Sequence, residues 1–148
     1  MVIIDGHNAL FRLYPDVDAD FLRAVRELTE RALVLAEKSA RKNILVFDGS
    51  GGLHELGGRQ KRGACLEIVY SGIHWSADEW ISSWMLQHPD QAVTIVSDDK
   101  KMVAAVRRKN MKSLTPARWF LREEKTPPPA GKREFGSVDY WLEEFGEA

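Results

Sequence analysis

Met1-Val2-Ile3-Ile4-Asp5-Gly6-His7-Asn8 sets an apolar run that does not alternate with polar residues directly against an aspartate. A strand that is apolar throughout is covered on both faces, as in the centre of a parallel sheet. The pattern recurs where Ile44-Leu45-Val46-Phe47 runs into Asp48-Gly49 and Val93-Thr94-Ile95-Val96 runs into Ser97-Asp98-Asp99. Ala77-Asp78-Glu79 adds a fourth acidic cluster at the start of a helical stretch. If the apolar runs are parallel strands of one sheet, these carboxylates meet at its carboxyl edge, where open α/β sheets place their chemistry. Crowded carboxylates repel each other unless a positive group sits among them, and a hard cation such as Mg²⁺ or Mn²⁺ is the usual one. The pattern therefore points to a metal-dependent site.

The segments between the strands carry helical periodicity. Asp18 or Asp20 caps a predicted helix running to about Lys42, with Phe21, Leu22, Val25, Leu28, Leu33, Val34 and Leu35 recurring at helical spacing. Asn43 to Phe47 is the next strand. From Asp48 to Gly63 six glycines and the cations Arg59, Lys61 and Arg62 occur without sustained periodicity, and the stretch reads as a mobile basic loop. Cys65 to Tyr70 returns to a strand pattern. Ser76 with Glu79 matches a capping box, opening a helix with Trp80, Ile81, Trp84 and Met85 on its apolar face. Ala92 to Val96 is a strand, and Ser97 opens a helix from Asp99 to about Lys109 that turns Met102, Val103 and Val106 inward. Met111 to Leu114 forms a short strand, and Thr115-Pro116 begins a helix carrying Trp119, Phe120 and Leu121. Alternating strands and helices imply a mainly parallel sheet with helices on both faces.

After residue 123 the text changes. Residues 124–136, with Pro127-Pro128-Pro129, read as an extended linker. Residues 137–148 form an aromatic amphipathic tail with Val138, Tyr140, Trp141, Leu142 and Phe145, expected to dock on the parent domain or to offer a partner surface.

At 148 residues, 44% of them hydrophobic, the chain has the length and apolar content of one domain with a real core. A net charge of -1 excludes a globally basic nucleic-acid binder, although clustered cations allow local basic surface. The lone cysteine, Cys65, forms no internal disulfide, which fits a reducing cytoplasm; its simplest place is a buried strand. No secretory signal and no apolar stretch of the roughly 20 residues needed to span a bilayer is visible. The chain is therefore expected in the cytoplasm and off the membrane.

Each acidic cluster also has a purely structural explanation, because aspartate is common at strand ends and favoured in first helical turns. Glu79 is accounted for by its capping box. Asp5 carries the best single signal: it ends a fully apolar strand, Gly6 permits close backbone approach, and Asn8 is placed to fix its carboxylate or to reach a phosphate. His7 is more simply an exposed or hydrogen-bonded turn residue than a metal ligand. His54, His74 and His88 lack the spacing of a zinc site, and neither a Walker loop nor a nucleophile elbow is present.

The ordered set Val2-Ile3-Ile4-Asp5-Gly6-His7-Asn8, Val46-Phe47-Asp48-Gly49, Ser76-Ala77-Asp78-Glu79-Trp80-Ile81 and Val96-Ser97-Asp98-Asp99 resembles the YacP-like NYN domain, a branch of the PIN-like ribonucleases. The resemblance spans residues 1–123. It implies a three-layer α/β/α domain and a metal-dependent endoribonuclease acting on RNA. It also implies that Asp5, Asp78 and Asp98 form the core metal-binding set for Mg²⁺ or Mn²⁺, with Asp48 and Asp99 as auxiliary carboxylates and Asn8 orienting Asp5 or the substrate. The sequence departs from the family pattern at His7, where an aromatic such as tyrosine is common, in the short glycine-rich loop, and in the added tail.

An acidic pocket needs cations at its rim to accept a polyanion, and Arg59, Lys61, Arg62, Lys100 and Lys101 are the nearest candidates in sequence. Trp75 or Trp80 is available to stack on an unpaired base. The main alternative is a non-catalytic RNA- or ribosome-binding module of the same fold, and delivery of substrate by the ribosome stays open. A small phosphatase is disfavoured because Gly6-His7 follows Asp5 where an Asp-x-Asp nucleophile pattern is expected.

Overall fold

The structure, a computed structural model, describes residues 1–49 and 57–125. Six strands and five helices alternate in it: β1 Val2–Asp5, α1 Gly6–Leu13, α2 Phe21–Ser39, β2 Asn43–Phe47, β3 Gly58–Arg62, β4 Leu66–Tyr70, α3 Ala77–Gln87, β5 Val93–Val96, α4 Lys100–Val106, β6 Met111–Leu114 and α5 Pro116–Lys125. The strands form one sheet in the order β3-β4-β2-β1-β5-β6. Every pairing is parallel except that of the edge strand β3 with β4. This is the expected α/β domain with a mainly parallel central sheet.

The alternation of side chains along each strand divides the core in two. Val2, Ile4, Leu45, Phe47, Leu66 and Ile68 pack against α1, α2 and α5 on one face, where Leu10, Leu28, Leu35, Trp119 and Phe120 are fully enclosed. Ile3, Ile44, Val46, Val69 and Ile95 face α3 and α4 on the other, meeting Ile81, Trp84, Met85, Met102 and Val103. The continuous apolar runs arise because β1 and β2 are covered from both sides. Chain direction reverses about β1, since β2 and β4 lie to one side and β5 and β6 to the other. The switch point thus falls between β1 and β5, with Asp5 and Ser97-Asp98-Asp99 at its mouth.

Five local expectations are corrected. Gly6-His7-Asn8 is the first turn of α1 rather than an open turn, because Asp5 accepts from the Asn8 N–H and caps the helix directly at the strand end. The helix capped by Asp20 ends at Ser39, where Ala40 takes a left-handed φ of 57°, rather than reaching Lys42. Part of the expected basic loop is β3, a polar strand held to β4 by backbone pairing at the sheet edge. The helix after β5 starts at Lys100 with Asp99 as its cap and ends at Val106 instead of about Lys109. The capping box is present in full: Ser76 Oγ accepts from Glu79 N, and Glu79 Oε1 accepts from Ser76 N. Helix α5 continues to Lys125, past the expected boundary at 123. The rest of the Pro-rich linker and the aromatic tail lie outside the described residues, as do residues 50–56.

Candidate active site

Three helices, α1, α3 and α4, present their N-termini at the carboxyl edge, each beginning beside an aspartate. Helix N-termini favour anionic groups, which partly offsets the cost of gathering carboxylates there. Asp5 is buried at the end of β1. Its Oδ1 accepts from the Asn8 backbone N–H at 3.4 Å, and its Oδ2 accepts from Ser97 Oγ at 3.2 Å. Burial pushes the Asp5 carboxyl up to about 6, against those hydrogen bonds and with help from the charges of Asp78 and Asp48. Asp78, in the first turn of α3, is also raised, first by burial, then by the charges of Asp99 and Asp48, and by a hydrogen bond shared with Asp99.

Asp5, Asp48, Asp78 and Asp99 therefore feel one another across the mouth of the switch point. Asp98 is engaged by other partners. Its carboxylate lies 3.0 Å from Arg12 Nε on α1, and its backbone N–H donates to Asn8 Oδ1 at 2.8 Å. Asn8 thus joins the β1–α1 corner to the β5–α4 corner, orienting the Asp98 backbone with its side chain and Asp5 with its own N–H. Asp48 accepts from Ala77 N and so fixes the start of α3.

Three contributors were not singled out by the sequence reading of the site. Ser97 is buried, and its hydroxyl both donates to Asp5 and accepts from the Asp99 N–H at 3.1 Å. His7 stacks on Phe21 and meets Phe47 edge-on, and its Nδ1 accepts from the Asp48 N–H at 3.1 Å. A nitrogen in that role carries no proton, so its 3.5 Å approach to Asp48 Oδ2 is not an ion pair. Arg12 is the third. Its position follows only once Asp5 is taken as a helix cap, the one signal that would have exposed it.

The expected cations separate into two groups. Lys100 and Lys101 are exposed in the first turn of α4, at the rim beside Asp99. Arg59, Lys61 and Arg62 lie on β3. Arg59 is bound by Glu67 through Nε at 3.1 Å and Nη2 at 2.6 Å, whereas Arg62 points to the opposite sheet face and pairs with Glu30. Lys61 sits across from Glu67.

The donor set is all carboxylate oxygen, which suits a hard cation and not a soft one. Among the described residues no three His, Cys, Asp or Glu side chains stand close enough to hold an ion jointly. Mg²⁺ commonly keeps several waters and takes only one or two carboxylates, so the Asp78–Asp99 contact with Asp5 nearby fits it without a closed cage.

Fold and site together define a PIN-like α/β domain with an acidic switch-point mouth. The profile of the YacP-like NYN domain matches residues 2–128, and the chain belongs to that family. NYN and PIN-like domains are generally ribonucleases and typically use divalent metal ions. The fold is similar to the crystal structure of Rae1 (YacP) from Bacillus subtilis, with a TM-score of 0.66 at 14% identity over 99% of this chain and 84% of that one. It is likewise similar to the W164L mutant of Rae1, with a TM-score of 0.65 at 16% identity over 90% of this chain and 88% of that one. No curated protein sequence matches the chain significantly. Among the described residues no helix is long and apolar enough to cross a membrane.

Proposed function

We propose that this domain is a cytoplasmic, metal-dependent endoribonuclease that hydrolyses RNA phosphodiester bonds at the carboxyl edge of its sheet. The observation that carries the reading is the convergence of Asp5, Asp48, Asp78 and Asp99 at the switch point, where burial first and the neighbouring carboxylate charges second raise Asp5 and Asp78. Like charges are held at close quarters there with no neutralising side chain among the groups that shift them. Asp78 and Asp99 would hold Mg²⁺ or Mn²⁺, with Asp5 reaching the ion through its waters, and Asp48 would keep α3, and hence Asp78, in place. Asp98 would join the donors only when Arg12 releases it. A divalent ion at such a site supplies charge neutralisation to the phosphate and activates water for in-line attack.

The chain's own groups perform the rest. Ser97 and the Asn8 N–H hold the Asp5 carboxylate in one orientation, so that both of its oxygens are set before substrate arrives. Lys100 and Lys101 draw the polyanion to the rim, and Arg12 lies close enough to the mouth to contact a phosphate oxygen. Enclosure of Asp5 at the end of β1, beside β2 and Ser97, excludes bulk water from one side of the carboxylate cluster.

Single-stranded and structured RNA incubated with Mg²⁺ or Mn²⁺ tests the proposal against Asp78→Asn. Cleavage by the parent, reduced at least about a hundredfold in the variant with an unchanged circular dichroism spectrum, is the expected result. Equal cleavage by both would remove Asp78 from the chemistry. The Arg12–Asp98 pair supports one alternative, a non-catalytic RNA-binding module, and metal-independent binding without turnover by the parent would establish that reading instead.

A further inference from the structure

A groove of about 620 Å³ lies on the far side of α3 from the acidic cluster, between that helix and the β3–β4 edge of the sheet. It runs the height of the sheet, from Lys42 and Gln91 at the amino end of the strands to Ser71 and Trp75 at the carboxyl end. Trp80, Ser83, Trp84 and Gln87 line it at helical spacing, which leaves Asp78 on another face of the same helix. One wall is flat and aromatic: the Trp84 and His88 rings stack at 4.3 Å with 16° between their planes. The lining includes Lys42 and Arg59 and no carboxylate, in a chain whose net charge is -1. Glu67, just outside it, engages Arg59 Nε and Nη2 and holds the guanidinium on the sheet.

At the carboxyl end Trp75 is 47% exposed, although tryptophan is highly buried on average. Its backbone is nevertheless pinned. Ser71 Oγ donates to the Trp75 carbonyl at 2.7 Å, and the Ser71 and Gly72 N–H groups donate to Phe47 and Gly49 carbonyls. An exposed indole on an anchored loop, beside a groove lined by Lys42 and the Glu67-held Arg59 and two residues before the Ala77 N–H that Asp48 binds, is built as a stacking platform rather than as core. We infer that the groove binds unpaired nucleotides of the strand being cut, with a base stacked on Trp75 and the backbone following Arg59 and Lys42, so that the strand crosses the first turn of α3 into the acidic mouth. The inference rests on the ribonuclease reading for the identity of the strand, but binding in the groove needs no turnover.

The test uses the full chain carrying Asp78→Asn, with chelator and no divalent ion, and reads the fluorescence anisotropy of a labelled single-stranded oligoadenylate. In that background Trp75→Ala is expected to weaken binding about tenfold or more, and Trp75→Phe to restore most of it. Lys42→Gln is expected to lower the slope of log affinity against log salt by about 0.7. Oligoadenylate binding that neither Trp75→Ala nor Lys42→Gln alters, or equal competition by duplex RNA, would overturn the groove. The Phe and Gln variants keep the test decisive if the alanine variant fails to fold. Trp75-dependent binding by a parent that never cleaves RNA would keep the groove and sink the nuclease. Cleavage by the parent with Trp75-independent binding would do the reverse.

Discussion

The Arg12 guanidinium on α1 stands 3.0 Å from the Asp98 carboxylate, so a cation beside the acidic mouth is paired with Asp98, while its neighbour Asp99 is the aspartate of the Ser97-Asp98-Asp99 run whose charge raises Asp78. The pair is largely open to solvent on the Arg12 side, which limits its strength to at most about 1 kcal/mol. Arg12→Gln removes a positive charge from the mouth and frees a carboxylate. Mn²⁺ affinity by titration calorimetry is expected to rise roughly fivefold, as about 1 kcal/mol implies. Unchanged or weaker affinity would show that Arg12 does not oppose the ion.

Asp5 makes stability depend on pH in a definite direction. The folded chain keeps the Asp5 proton up to about 6 and the unfolded chain releases it near 3.8, so stability falls as pH rises between those values and is flat above them. The loss amounts to about 3 kcal/mol at neutral pH. Asp5→Asn keeps a good helix cap and abolishes the titration. Urea unfolding should find the variant more stable by about 2 kcal/mol near neutrality, with its advantage shrinking toward acid. Greater stability of the parent at neutral pH would contradict the assigned burial.

Ser97 lowers the Asp5 carboxyl by donating to it, so its loss must move Asp5 upward. In Ser97→Ala the Asp5 midpoint, followed by carboxyl-carbon NMR, is expected to climb beyond about 6 by just under one unit, the equivalent of one hydrogen bond. A midpoint that stays or falls would remove Ser97 from its positioning role.

Gly6 is required by packing. A Cβ there would lie 2.6 Å from the Phe47 ring and 2.7 Å from the Val46 carbonyl oxygen, and the strand backbone cannot yield. Gly6→Ala is expected to cost about 2 kcal/mol in urea unfolding, a typical overpacking penalty, and to reduce stabilisation by Mn²⁺ as α1 is displaced. A neutral substitution would show that α1 and β2 are less closely apposed.

What was legible in the sequence follows from where its signals are strongest. Val2-Ile3-Ile4, Ile44 to Phe47 and Val93 to Val96 announced themselves because a strand covered on both faces has no polar alternation. The Ser76–Glu79 capping box was equally clear. Gly58 to Arg62 was opaque, because an edge strand exposed on both sides pairs through its backbone and leaves no hydrophobic pattern. Helix α1 was hidden by its brevity and by the glycine at its first position. The sequence pattern brought the strand-end and helix-start carboxylates to one sheet edge, with Asp5, Asp78 and Asp98 expected as the core set and Asp48 and Asp99 as auxiliaries. The division of labour between Asp98 and Asp99 was not legible, because it depends on Arg12, which sequence places far from both and only the meeting of the β1–α1 and β5–α4 corners brings near.

Anomalous diffraction from crystals soaked in Mn²⁺ addresses the acidic mouth most directly. A peak at the Asp78 and Asp99 carboxylates, on the side facing Asp5 and absent from Asp78→Asn crystals soaked alike, is the expected outcome. Ordered Asp78 and Asp99 side chains with no peak between them, or Mn²⁺ bound only at other carboxylates, would contradict the proposal that this cluster is a metal centre.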